Sequence, residues 1–149
     1  MPARMAEMAL MSLGENATLP LDVESLIRSY GIEIERAPLT KAICGIYYPL
    51  KIQPVIVINS LLDFRRARFT LAHELFHHLD FVTNGTRRNP RFLMPDGAKE
   101  RAANTFAGSL LMPEKAIQFL SQVKTQTELC DIFGVSRQAL EIRLRETAS

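Results

Sequence analysis

Two histidines four residues apart, His73 and His77, are the residues of this chain best placed to do chemistry. On a helix, side chains at this spacing project from one face, so both imidazoles can bind the same metal ion. Glu74 lies about 100° around the helix from His73, and from there its carboxylate can reach a metal-bound water without being a ligand. The resulting H-E-x-x-H pattern is typical of zinc-dependent amide hydrolysis. The alternative is a pair of buried histidines with a purely structural role.

A catalytic zinc ion needs a third protein ligand and one open position for water. The chain offers four candidates, which are His78, Asp80, Asp96 and Glu100. His78 points about 100° away from the second histidine of the motif, the chain near Asp80 favours the end of the helix, and Asp96 is better explained as a helix N-cap. Glu100 falls on a separate helix that can face the motif, with Asn104 one turn later. We therefore expect Glu100 to be the third ligand and Asn104 to accept a hydrogen bond from the far nitrogen of a ligand histidine.

This set of residues predicts metal-assisted hydrolysis. Zinc held by two histidines and a glutamate lowers the pKa of its bound water to about 7 and polarises a substrate carbonyl. Glu74 would take the proton and later donate it to the leaving amine. Another divalent metal ion such as Mn2+ also suits these ligands. Tyr47, Tyr48 and the arginines are candidates for stabilising the oxyanion, although ordinary sheet or surface roles explain each of them better.

The motif requires a long helix, predicted over residues 61–81, with a capping-box pattern at Ser60 and Asp63. Apolar side chains cover two of its sides, and the histidines occupy the remaining side. The apolar residues are Leu71, Leu75 and Leu79 on one side and Phe69, Ala72 and Phe76 on the other. The motif helix is therefore expected to be central and mostly buried, with something polar facing its histidines.

A second helix, predicted over residues 98–111, must bring the other ligand. Glu100 and Asn104 share one face of it, and Gly108 continues that face without bulk, which allows another helix to approach closely. Pro113 then begins a further helix. Residues 127–146 predict a helix, a short turn at Gly134, and another helix.

The first third of the chain predicts helices followed by strands. An N-terminal helix is expected over residues 5–13, and Asp22 is a plausible N-cap for a helix that Gly31 ends. Three strands follow, at residues 32–35, 43–48 and 55–58, and we expect them to form a small, mostly antiparallel sheet. Residues 83–97 form a long connection with Arg87, Arg88 and Arg91. It is either a solvated surface loop or a lid over the metal.

Composition limits the classes of function. The length of 149 residues suits one domain or a small domain with an appendage. A formal net charge of +2 does not demand a nucleic-acid partner. Cys44 and Cys130 are expected to be reduced and largely buried. No apolar run has the length of a membrane span and no signal peptide is recognisable, so we expect a cytoplasmic protein without membrane contact.

Three stretches of the chain together resemble the ImmA/IrrE family of metallopeptidase-like proteins. They are Phe69-Thr70-Leu71-Ala72-His73-Glu74, Glu100-x-x-Ala103-Asn104-x-Phe106-Ala107, and Leu110-Leu111-Met112-Pro113. The resemblance implies an α+β, minimal zincin-like fold in residues 1–112 and a helix-turn-helix-like helical subdomain in residues 113–149. It assigns the metal to His73, His77 and Glu100 and the acid/base role to Glu74. Phe76 departs from a common glycine, and would narrow the substrate cleft, and Ala102 departs from a frequent glutamate.

The main hypothesis is therefore a zinc-dependent endopeptidase whose substrate is a protein partner, a helix-turn-helix transcriptional repressor. The alternative is a toxin or antirepressor of a toxin–antitoxin-type pair, which acts by docking and uses the metal structurally. Direct DNA binding through residues 127–146 is favoured by Arg137, Arg143 and Arg145. Glu141 and Glu146 oppose it, because phosphate repels them, and we do not expect it.

Overall fold

A computed structural model describes residues 1–14, 18–85 and 97–148 of the chain. Within these residues it contains helices and strands with the following bounds: α1 Pro2–Met11, α2 Val23–Ser29, β1 Glu33–Ala37, β2 Gly45–Tyr48, β3 Val55–Asn59, α3 Phe64–Asn84, α4 Gly97–Leu111, α5 Glu114–Leu120, α6 Gln126–Phe133 and α7 Arg137–Thr147. The predicted lid falls almost wholly on residues 86–96, with its three arginines and Asp96, and so lies outside the described residues. No helix among those described is both long and apolar enough to cross a membrane.

The sheet is mixed, which corrects the prediction of a mostly antiparallel sheet. Its order is β1-β3-β2, with β1 parallel to β3 and β2 antiparallel to β3. Strand β3 is apolar from Val55 to Ile58 and almost wholly buried, and so it takes the centre. Strand β1 alternates charged and apolar residues from Glu33 to Glu35 and is followed by the exposed Arg36, which suits an edge with one face in water. That alternation identifies the strands but not their neighbours or directions.

Helix α3 is the central element, as predicted. Asp63, and not Ser60, is its N-cap, accepting a hydrogen bond from the Arg66 amide at 3.0 Å. Gly85, with φ of 76°, ends it. One side of α3 packs beneath β2 and β3, and another packs against α4. Helix α1 covers the far side of α4, where the small side chains of Ala6 and Ala9 are buried.

The C-terminal helices are joined to α3 by a buried arginine. Arg68 donates to three carbonyl oxygens, those of Leu21 at 2.5 Å, Gly134 at 3.0 Å and Phe133 at 3.1 Å. Gly134 ends α6 in the left-handed conformation at φ 65°, and a Cβ there would lie 2.7 Å from Arg68 Nε. Both facts require glycine in this turn. Helices α6 and α7 follow the predicted helix, turn, helix order, while the domain boundary at residue 112 stays a prediction.

Candidate metal centre

Helix α3 presents the two histidines to α4 on one face. His73 Nε2 and His77 Nε2 are 3.2 Å apart, and their ring centroids are 4.9 Å apart. The side chain of His77 is 3% exposed and that of His73 is 16% exposed. This proximity follows from the four-residue spacing on an unbroken helix. Two imidazole nitrogens converge on one point at the edge of a cleft.

Glu100 on α4 completes a triangle of ligand atoms. Its Oε2 lies 2.9 Å from His77 Nε2 and 3.2 Å from His73 Nε2. In a tetrahedral zinc site with bonds of about 2.0–2.1 Å, ligand atoms lie about 3.3 Å from one another. The three distances are close to this value, and two imidazoles with a carboxylate form a donor set that suits zinc. The residues therefore fit a zinc ion in both chemistry and spacing.

A second group of three side chains is also compact enough to hold a metal ion. His73, Glu74 and His77 each offer an atom within 4.8 Å of the others. Glu74 Oε2, however, is 4.0 Å from His73 Nε2, whereas Glu100 Oε2 is within 3.2 Å of both histidines. Glu100 is therefore the better third ligand, and Glu74 is left beside the centre at a distance that leaves room for one water.

Asn104 lies behind His73, one turn along α4 from Glu100. Its Oδ1 is 2.8 Å from His73 Nδ1. Since an amide oxygen can only accept, Nδ1 carries the hydrogen and donates it, and Nε2 is left with its lone pair toward Glu100 and His77. The contact selects the tautomer that a metal ligand needs.

The local charges favour a cation at this point. Burial lowers the pKa of His73. A protonated His73 ring, however, would donate a hydrogen bond to Glu100, feel the charges of Glu74 and Glu100 and keep its hydrogen bond to Asn104; together these outweigh burial, so the pKa of His73 is raised. Such a field stabilises positive charge on the imidazoles whether a proton or a metal ion supplies it.

Strand β2 lies directly over the turn of α3 that carries Glu74. A Cβ added to Gly45 would lie 2.8 Å from Thr70 Cγ2, 3.3 Å from the Val57 carbonyl oxygen and 3.5 Å from Glu74 Cγ. Gly45 thus allows the strand to approach the helix at the buried glutamate. The sequence reasoning missed this residue, although a glycine within a strand is itself a signal of close backbone approach.

The centre opens into a cleft of about 850 Å³. Its lining comes from four places: residues 42–46 around the start of β2, and the facing sides of α3, α4 and α7. Ile142 and Arg143 on α7 belong to this lining. Phe76, by contrast, is buried against Phe106, with ring centroids 5.7 Å apart, and so packs in the core.

Two of the other ligand candidates, His78 and Asp80, have separate partners, and Asp96 lies outside the described residues. His78 is buried, and its Nδ1 is 2.8 Å from the hydroxyl oxygen of Tyr47. Burial lowers the pKa of His78 and raises that of Tyr47 to about 12. Asp80 forms an ion pair with Lys99. Both cysteines are free, with Cys130 buried and Cys44 half-buried at the cleft.

Comparison with known proteins identifies the family and the fold of the chain. The family model Peptidase_M78, described as the IrrE N-terminal-like domain, matches residues 27–145. Among solved structures, a Mycobacterium tuberculosis transcriptional regulator has a similar fold, with a TM-score of 0.67 and 20% sequence identity. The match covers 96% of this chain and 46% of that one, so this chain spans about half the length of the solved structure. No curated protein sequence matches the chain significantly.

Proposed function

Because this chain belongs to the Peptidase_M78 family, the IrrE N-terminal-like domain, we propose that it is a zinc-dependent endopeptidase that cleaves a protein partner. One observation carries the proposal: His73 Nε2, His77 Nε2 and Glu100 Oε2 lie 2.9–3.2 Å apart, with the Glu74 carboxylate beside them. A structural histidine pair would need neither the converging Glu100 nor the neighbouring carboxylate.

His73, His77 and Glu100 would hold the metal. When bound, zinc would acidify a water molecule and polarise the carbonyl of the bond to be cleaved. Asn104 keeps His73 in the tautomer with a free Nε2 through the 2.8 Å contact at Nδ1. The burial of His77 holds its ring in one orientation, since a ring with 3% exposure has little room to rotate.

Glu74 would move the proton. Its side chain is 9% exposed and its Oε2 lies 4.0 Å from His73 Nε2, too far for a hydrogen bond and near enough for a water between them. From there the carboxylate accepts a proton from the attacking water and returns it to the leaving nitrogen.

An extended segment of protein suits the cleft as substrate. The backbone carbonyl oxygen of Cys44 accepts a hydrogen bond from the backbone N–H of Asn59 on β3 at 2.8 Å. In an antiparallel pair, successive residues of a strand point their N–H and C=O groups alternately toward and away from the neighbouring strand, so those of Gly45 point away from β3. Strand β2 forms the edge of the sheet in the described residues. Its outward backbone groups could pair with a peptide beside Glu74.

We further propose that the partner is a helix-turn-helix transcriptional repressor. The resemblance of the motifs to the ImmA/IrrE family supports this, because many members act on such repressors. The solved structure of similar fold is named a transcriptional regulator, and that name is consistent with a regulatory setting.

The test is direct incubation of the zinc-loaded chain with the product of the neighbouring gene, chosen when that gene encodes a helix-turn-helix protein, followed by intact-mass measurement. The proposal expects two fragments that sum to the partner plus one water, and no fragments after zinc is removed by a chelator. Binding without fragments in the presence of zinc would replace hydrolysis with docking as the function.

A further inference from the structure

The cleft continues past the histidines between α3 and α4. His77 contacts Glu100, whereas His73, one turn earlier on α3, contacts Asn104, one turn later on α4. The two helices therefore run antiparallel along the cleft. At the end of the cleft far from His77, the N-terminal part of α3 therefore lies opposite the C-terminal part of α4, which contains Gly108.

Two guanidinium groups lie at that far end, one on each side. Arg66 precedes His73 by seven residues, or about 10 Å along α3, and its Nη2 is 3.4 Å from Cys44 Sγ. Arg143 reaches from α7 onto α4, where its Cδ lies 3.9 Å from the Cβ position of Gly108. Gly108 follows Glu100, the proposed metal ligand, by eight residues, or about 12 Å along α4. Arg66 and Arg143 both line the cleft.

Arg143 is a buried cation whose charge is only weakly neutralised by nearby carboxylates. It is 7% exposed, and burial lowers its pKa. Its Nε donates to the Met112 carbonyl at 2.9 Å. Its carboxylate partner, Glu146, is 39% exposed and stands 3.9 Å from Nη1, beyond hydrogen-bond distance, and Glu114 adds a weaker attraction. A guanidinium has five N–H donors, so donors remain for an anion in the cleft.

The other charges of the lining leave this end positive. Three arginines and three glutamates line the cleft. Glu74 and Glu100 belong to the metal centre, and Arg101 lies at the start of α4, with its Nη1 3.4 Å from the Cβ position of Gly97. The remaining carboxylate of the lining is that of Glu146, beside Arg143. Arg66 is exposed and makes no ion pair with a carboxylate in the described part of the chain. Since Glu146 offsets only one charge, an anionic group between the two arginines would be stabilised.

We propose that this end of the cleft binds the carboxylate of an aspartate or glutamate side chain in an extended peptide substrate. The proposal rests on the peptidase function and adds a substrate class to it. An extended peptide rises about 3.3 Å per residue, so a separation of about 10–12 Å places the acidic residue three or four positions from the cleaved bond. Guanidinium groups pair with carboxylates through charge-assisted hydrogen bonds, which gives the site its selectivity.

Binding can be measured without cleavage by using zinc-loaded Glu74→Gln protein. The probes are two fluorescein-labelled, C-terminally amidated pools of neutral 12-residue peptides, one with a single glutamate at random positions and one with glutamine there. Fluorescence anisotropy should show about tenfold tighter binding of the glutamate pool, as expected for one charge-assisted pair. Amidation excludes a terminal carboxylate as the source of binding.

Charge reversal then locates the site. Arg66→Glu, at an exposed position that should not disturb folding, should abolish the preference for glutamate. The matched control is Arg145→Glu, an exposed arginine on α7 outside the lining, which should keep it. Arg143→Gln is a second variant, and its folding is checked by circular dichroism because Arg143 also bonds the Met112 carbonyl.

Cut-site mapping with the native zinc-loaded chain on a peptide library separates this proposal from the peptidase function. If acidic residues are enriched three or four positions from the cut, and if this enrichment disappears in Arg66→Glu, both the acidic site and the peptidase function are supported. Cleavage with no such enrichment overturns the acidic site and leaves the peptidase intact. Tighter, Arg66-dependent binding of the glutamate pool without any cleavage supports the acidic site and removes hydrolysis. Equal binding of the two pools, or equal loss in both charge reversals, overturns the acidic site.

Discussion

Gly45 on β2 and Thr70 on α3 are packed so closely that no side chain fits between them. A Cβ at position 45 would lie 2.8 Å from Thr70 Cγ2, shorter than real Cβ contacts, and 3.5 Å from Glu74 Cγ. The strand that borders the cleft and the helix turn that carries the proposed general base are thus positioned against each other. This contact predicts that Gly45 controls the position of Glu74 without touching the metal.

Gly45→Ala should lower kcat by about tenfold, since misplacing a catalytic group by a fraction of an ångström weakens it. Zinc affinity should stay within about twofold of the parent, because no ligand is on β2. Steady-state kinetics on a peptide taken from the cut-site library and competition with a chromophoric chelator measure the two effects.

The compensating variant tests the cause. Thr70→Ser removes Cγ2, the atom that the new Cβ meets, so Gly45→Ala with Thr70→Ser should recover most of the lost kcat. If the double variant is no better than Gly45→Ala, the contact with Thr70 is not the reason for the loss.

The choice of third ligand makes a second prediction. Glu100→Gln should weaken zinc binding by at least about tenfold, because it removes a charged donor 2.9 Å from His77 Nε2. Glu74→Gln should change zinc affinity by no more than about twofold. The opposite ranking in chelator competition would assign the ligand role to Glu74.

Asn104 gives a third prediction, through its 2.8 Å contact with His73 Nδ1. Asn104→Ala should weaken zinc binding by about 10–100-fold, the range for losing such an orienting partner. Asn104→Asp should restore it, since a carboxylate accepts the same hydrogen bond. An Asn104→Ala protein with parental zinc affinity would show that the contact has no part in metal binding.

His78 predicts a pH dependence of stability. Burial lowers its pKa in the folded protein, so the unfolded chain takes up the proton at higher pH than the folded chain does. The stability contributed by the neutral ring is complete above the pKa of the free side chain, about 6.5, and is lost as the pH falls toward the lower pKa of the folded state. Tyr47 is 2.8 Å from the ring and shares its burial.

The measurement compares zinc-free parent and His78→Gln proteins by urea unfolding at pH 7.5 and pH 5.5. The parent should lose more free energy of unfolding between the two values than the variant does, because only the parent has this proton uptake. The raised pKa of His73 makes the free energy of unfolding depend on pH in the opposite direction. Both proteins contain His73, so this contribution cancels when they are compared. An identical pH dependence in the two proteins would contradict the role of His78.

The residue types and spacings on helices were enough to predict the geometry of the centre. The four-residue spacing of His73 and His77 determines a shared face, and the same periodicity places Glu100 and Asn104 together on another helix. The structure brings these four side chains within 3.2 Å of a neighbour in the group. Their roles in binding and catalysis are what the experiments above test.

Relations between elements could not be predicted in the same way. The alternation in β1 shows which face is buried, but the parallel pairing with β3 depends on how the intervening chain crosses over. Arg143 resembles a surface residue in the sequence, yet α7 packs it against α4 in the cleft. Gly45 matters because of Thr70, which is 25 positions away in the sequence and on another element.

The most direct test of the central claim is cleavage by Glu74→Gln protein that has been shown to carry zinc. Native and variant proteins are loaded with one equivalent of zinc, verified by native mass spectrometry, and incubated with the protein partner that the native chain cleaves. We expect the variant to keep zinc and its fold while the rate of partner cleavage falls by at least about 100-fold, the lower range for losing a general base. Cleavage by the zinc-loaded variant at the parental rate would contradict this expectation.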